Sequence, residues 1–125
     1  MNHLTFAGLH FLKQEKFLKA LEEGIPDVKP IGPTRILYIV AGYFQTDPSD
    51  LLGKGRKKEI REPRHWAIYL MYHHCYIGGY KNIAKFMGMN HASVFSAEKK
   101  IGNHIRNYDN YKKDYLQLIK RIQDD

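Results

Sequence analysis

Two groups of side chains in this 125-residue chain have the types and spacing to act on a ligand. The first is Lys54, Arg56, Lys57, Lys58, Arg61 and Arg64, six cations within eleven residues, opposed by Glu59 and Glu62. Interleaved with Gly53 and Gly55, they suit a polyanion. A flexible basic segment can enter a narrow, A·T-rich minor groove, where negative potential is concentrated. The plainer counterpart is a solvated charge run. The second group is Asn90-His91-Ala92-Ser93. Asn90 can cap a helix through its side-chain oxygen. His91 can hydrogen-bond to base acceptors or to a phosphate, Ala92 can touch a thymine methyl, and Ser93 can donate to base or phosphate. Capping and simple exposure are the plainer counterparts here. Ser96, Lys99 and Lys100 follow on the outward side, suited to phosphates.

Other chemistries find little support. His73, His74 and Cys75 are adjacent, and adjacent helical residues point about 100° apart, so they do not converge on one ion. Surface histidines beside a buried cysteine are the expected arrangement. No His-Glu-x-x-His pair, no Ser/His/Asp grouping and no G-x-x-x-x-G-K-[ST] loop occurs. A single cysteine excludes an intramolecular disulfide and a multi-cysteine zinc site. The expectation is no enzyme, no metal, no cofactor and no nucleotide. The apolar stretch Ile36 to Phe44 is too short to span a bilayer, and the N-terminus lacks a signal-peptide layout. A cytoplasmic, nucleoid-associated protein without membrane contact is expected.

The elements that must position these residues come from a chain of one-domain size, 43% hydrophobic and 13% aromatic, rich enough in large apolar residues to build a core. Charge is unevenly spread. Residues 1–52 carry five basic and six acidic side chains, residues 53–106 eleven and three, and residues 107–125 four of each. The whole excess of +7 therefore belongs to the middle block, a footprint for nucleic acid.

Residues 1–33 read as an appendage: an amphipathic helix from about Leu9 to Glu23, then a Pro/Gly linker from Ile25 to Pro33. Its apolar stripe could pack on the main domain, on a second copy or on another protein. Residues 34–125 form the domain proper. A helix should start at Thr34 and end near Gln45–Thr46, apolar almost all round and therefore central. Asp47 to Asp50 should turn, with Leu51 and Leu52 tucked inward. Gly53 to Glu62 should be a loop. Pro63 should open a third helix that buries Trp66, Ala67, Leu70 and Met71 and ends near Cys75. Tyr80, Ile83, Ala84 and Met87 mark a short helix that Gly88 breaks. Val94, Ala97, Ile101 and Ile105 mark the inward stripe of a longer one capped by Asn90. A last helix should run from about Asp109 to Ile122. Short helix, glycine turn, longer helix is a helix-turn-helix layout, so an all-α fold with an extra N-terminal amphipathic helix is expected.

These residues resemble a known family. The segments LLGKGRKKEIREPRHWAIYL and NIAKFMGMNHASVFSAEKKI look like the C-terminal DNA-binding domain of DnaA-type replication initiators, a relative of the Trp-repressor-like helix-turn-helix. The preceding ILYIVAGYFQTDPSDLL resembles that domain's connecting helix. The likeness is good over residues 51–106 and loose over 34–123. It implies that Arg56, with Lys54 beside it, enters the minor groove, that Arg64 reads a base, and that His91 and Ser93 work in the major groove. Four positions depart from the family pattern: Asn90 replaces an acidic residue, Ala92 a threonine, His65 a glutamine and Met89 an arginine. The binding mode can persist while the preferred sequence changes. Without a nucleotide loop, the resemblance implies a detached DNA-binding module.

The function expected is sequence-preferring binding of double-stranded DNA, in regulation of replication or transcription. Its DNA-binding residues would be Lys54, Arg56, Lys57, Lys58, Arg61, Arg64, His65, Asn90, His91, Ala92, Ser93 and Lys99. The alternative is a protein-interaction module that kept the fold and lost specific DNA binding, using residues 1–33 to pair with itself or a partner.

Overall fold

A computed structural model of the chain describes residues 30–53 and 58–124. The expected N-terminal helix, most of its linker, and Lys54, Arg56 and Lys57 lie outside the described residues. What is described is all-α: α1 (Pro33–Phe44), a 3₁₀ turn (Pro48–Leu51), α2 (Lys58–His74), α3 (Gly79–Met87), α4 (His91–Asn107) and α5 (Asp109–Gln123).

α1 starts one residue earlier than Thr34 because Pro33 fits the first helical position, where its missing N–H costs nothing, with Gly32 as the cap. It stops at Gln45, which adopts a left-handed conformation. Asp47 then nucleates the 3₁₀ turn, its Oδ1 accepting from Ser49 N at 2.9 Å and from Ser49 Oγ at 2.7 Å. Leu51 is tucked in as expected, but Leu52 is 38% exposed.

The central position belongs to α2 and not to α1. Every residue from Trp66 to Met71 is buried, and α2 packs against α1, the 3₁₀ turn, α3 and α4. α1 is one-sided: Ile36, Leu37, Val40 and Ala41 face inward while Tyr38 is 58% exposed. α2 also begins at Lys58, five residues before its proline. Pro63 thus sits just past the first turn, where the N–H it lacks would have met the Glu59 carbonyl, so the helix loses one rung near its start. Glu59 in the first turn suits the helix dipole.

An aromatic cluster fills the space between α2 and α5. The Trp66 ring stacks on Tyr111 at 5.9 Å and Tyr69 meets Tyr115 edge-on at 5.5 Å. Tyr115, Leu118, Ile119 and Ile122 form the inward face of α5. His74 is not a surface residue. It is buried, its Nε2 lies 2.8 Å from the Tyr115 hydroxyl, and burial, reinforced by His73, pulls its pKa down to about 4. Ahead of α1, Ile31 runs extended beside the end of α2, donating to the His74 carbonyl at 3.2 Å and accepting from Tyr76 N at 3.4 Å.

Candidate nucleic-acid interface

The α3–α4 pair turns on local chemistry. Gly88 ends α3 at φ 70°, a left-handed conformation that side chains resist. The amide of Met89 reaches back to the Ala84 carbonyl at 3.0 Å. Asn90 caps α4 by accepting from Ser93 N at 2.7 Å. The same turn holds Gly53. Gly53 N donates to the Met87 carbonyl at 2.6 Å, and a β-carbon on Gly88 would stand 3.6 Å from Gly53 Cα. Gly53, the residue before the cationic run, is therefore held against the turn of the helix-turn-helix.

Arg64 accounts for the other half of that anchor. It was expected to reach a base, but it is only 5% exposed. Its Nε donates to the Leu51 carbonyl at 2.9 Å and its Nη2 to the Asp50 carbonyl at 3.0 Å. The planar fork clamps residues 50–51 against α2, a holding role that the sequence alone does not suggest.

Residues expected at the site converge on one side of the molecule. A groove of about 360 Å³ between α2 and the start of α4 is lined by His65, Asn90, Ala92, Ser93, Ser96, Ala97 and Lys100. A second, of about 130 Å³, is lined by Lys58, Arg61, Glu62, His65, Lys100, Ile101 and Tyr111. His65 and Lys100 line both, so the two grooves are neighbours on the same side of the molecule. Lys58 and Arg61 of the basic stretch thus share a surface with the amino end of α4. Glu62, at the rim, accepts a hydrogen bond from the Tyr111 hydroxyl. His65 is half-buried, and burial followed by Lys100, Arg61 and Arg64 lowers its pKa to about 4, so at neutral pH its ring is uncharged.

The exposed surface of α4 runs through His91, Ala92, Ser93, Phe95, Ser96, Lys99, Lys100, Asn103 and Arg106. It carries no carboxylate. Glu98, the one acidic residue of the helix, points inward. His73 Nε2 lies 2.8 Å from its Oε2, and the Tyr80 hydroxyl donates to its Oε1 at 2.8 Å. Lys99 stands 3.7 Å from Oε1 of Glu98 and lies over the Phe95 ring, 5.3 Å from the centroid. Sequence reasoning did not single out Phe95, although its place at i+4 from His91 puts it on the same side of the helix. Among the described residues no three His, Cys, Asp or Glu side chains gather as a metal site, and no helix is long and apolar enough to cross a membrane.

Short helix, glycine turn and longer helix with a carboxylate-free outer face define a helix-turn-helix protein. The chain belongs, more narrowly, to the bacterial DnaA protein helix-turn-helix family, whose pattern matches residues 33–101. Among curated relatives, the chromosomal replication initiator protein DnaA of Acholeplasma laidlawii (strain PG-8A) is 37% identical over 70% of this chain and 20% of its own length. That of Lactobacillus delbrueckii subsp. bulgaricus is 31% identical over 87% and 26%, and that of Thermomicrobium roseum 26% identical over 86% and 24%. The chain therefore spans about a fifth to a quarter of the relatives it matches.

Proposed function

We propose that this chain binds double-stranded DNA with a sequence preference, laying α4 in the major groove and the basic segment ahead of α2 in the adjacent minor groove. One observation carries the reading: Lys58, Arg61, His65, Lys100, Ser96 and Ser93 line two neighbouring grooves, with His65 and Lys100 in both, beside the exposed amino end of α4. In such a docking the first residues of the second helix meet base edges and the flanking cations meet phosphates. His91, Ala92 and Ser93 are the base-facing set, and Lys58, Arg61, Lys99 and Lys100 the phosphate-facing one. Asn90 contributes by fixing the start of the helix. Lys54, Arg56 and Lys57 leave from Gly53, which is bonded to the helix-turn-helix turn, and this supports their use on the same duplex. The relatives are chromosomal replication initiator proteins, which favours a place in replication or its control.

The test is a titration of labelled duplexes selected from a random pool, against scrambled controls, at several salt concentrations. If about six phosphates are neutralised, the logarithm of affinity falls with the logarithm of salt at a slope of about −5. Equal binding of selected and scrambled duplexes removes the sequence preference. No duplex binding even at low salt removes the reading altogether and leaves a module that binds protein.

A further inference from the structure

We propose that Phe95 is a specificity-determining residue that reads a thymine through its 5-methyl group in the major groove; the inference rests on α4 being the recognition helix. Phe95 is 44% exposed, an unusual fate for a phenylalanine on a helix that buries Val94, Ala97, Ile101 and Ile105 on its other side. At about 100° per residue, His91, Phe95 and Lys99 form one line along α4, and Ala92 and Ser96 form the next. The apolar ring therefore lies among the polar side chains that would face base edges and phosphates.

The ring is held in place. Tyr80 meets it edge-on, with centroids 5.2 Å apart and planes at 69°. Tyr80 is itself fixed, stacked on Tyr72 at 4.4 Å and donating to Glu98. Lys99 lies over the Phe95 ring and gives it a cationic neighbour suited to the phosphates on either side. A fixed, exposed apolar surface in a major groove has one natural partner among the base edges, the thymine methyl. The flank of α4 that faces α2 offers Asn90, Ala92, Ser93, Ser96, Ala97 and Lys100, small or polar side chains without a large apolar surface, so Ala92 is the rival for a methyl contact.

Replacing each dT of the selected duplex in turn by deoxyuridine deletes one methyl and changes no hydrogen bond. The wild-type chain is expected to lose about four-fold in affinity at one such position, the loss that corresponds to about 0.8 kcal/mol for a buried methyl-sized group. Phe95→Ser should bind the dT and deoxyuridine duplexes alike. Tyr80→Phe, which keeps the supporting ring, should retain the methyl sensitivity. A wild-type chain that binds its selected duplex but ignores every deoxyuridine overturns the inference. So does a Phe95→Ser variant that keeps the full methyl sensitivity, which would assign the methyl to Ala92. Both leave the DNA-binding reading standing, whereas failure of the pool to yield any preferred duplex takes down both.

Discussion

Replacing Arg64 by alanine separates what the structure assigns to this residue from what the family resemblance implies. Its guanidinium makes two charge-assisted hydrogen bonds to backbone carbonyls, at 2.9 Å and 3.0 Å, in a nearly closed site. Bonds to charged groups contribute about 1.5–3 kcal/mol each. The two freed carbonyls belong to a turn at the surface, where Asp50 is exposed, so water can recover part of the loss. The net destabilisation of Arg64→Ala should be about 2–4 kcal/mol, a large fraction of a domain stability of about 5–15 kcal/mol. For a chain of this size that lowers the melting temperature by roughly 8–16 °C. Arg64→Lys should recover less than half, because a point charge cannot span two carbonyls in the way a planar fork does. Urea unfolding followed by circular dichroism measures the change, and duplex selection at a temperature where the variant is folded measures the preference. The reasoning is refuted if Arg64→Ala unfolds at the wild-type urea concentration and selects a different base at one position. In that case the side chain leaves its carbonyls to read DNA.

Proton linkage gives a second expectation. His65 is kept neutral, with a pKa of about 4, by burial and by Lys100, Arg61 and Arg64. A phosphate in the groove adds negative charge and offsets those cations, so the pKa rises on binding. The group takes up a proton in the complex, and the affinity gain is complete below the free value and fades as pH climbs through the bound value. Duplex affinity should therefore strengthen between pH 7.5 and 5, and His65→Gln should flatten that dependence; parallel curves for the two proteins count against it. Glycine substitutions give a third. Gly88→Ala forces a side chain into φ 70° and should cost about 1–2 kcal/mol. Gly42→Ala, in mid-helix with only Arg121 Nη1 within 4 Å of the new carbon, should stabilise by up to about 1 kcal/mol. Urea midpoints for the pair check both signs.

The helix-turn-helix was legible because its signals are local. Gly88 and Asn90 act within four residues of themselves, on Ala84 and Ser93, and the stripes of α3 and α4 repeat with helical period. What escaped depends on residues far away in the chain. Arg64 sits 13 and 14 residues from the carbonyls it clamps, and without them it reads as one more cation of a basic run. His74 is buried by Tyr115, 41 residues on. The start of α2 escaped for a different reason. Between Lys58 and Glu62 only Ile60 is buried, which is too little to set a period, so the proline looked like the first helical signal. α1 misled through composition, since an apolar sequence does not reveal that Tyr38 has no neighbour to cover it.

The same distant contacts make the surface more positive than a count of charges suggests. The block 53–106 holds three acidic residues, Glu59, Glu62 and Glu98. Glu98 is buried against His73 and Tyr80, and Glu62 is engaged by the Tyr111 hydroxyl. Glu59 alone stands exposed without a partner drawn from another helix among the described contacts. Both carboxylates tie helices together, Glu98 joining α2 and α3 to α4 and Glu62 joining α2 to α5. Only Glu98 has a double effect: it links α2 and α3 to α4, and its burial leaves the exposed face of α4 without a carboxylate, whereas Glu62 stays on the groove rim. Glu98→Gln separates the two. It keeps an acceptor for Tyr80 while deleting the carboxylate that stands 3.7 Å from Lys99, so it should change stability and shift the salt slope of duplex binding by no more than the one contact that Lys99 makes.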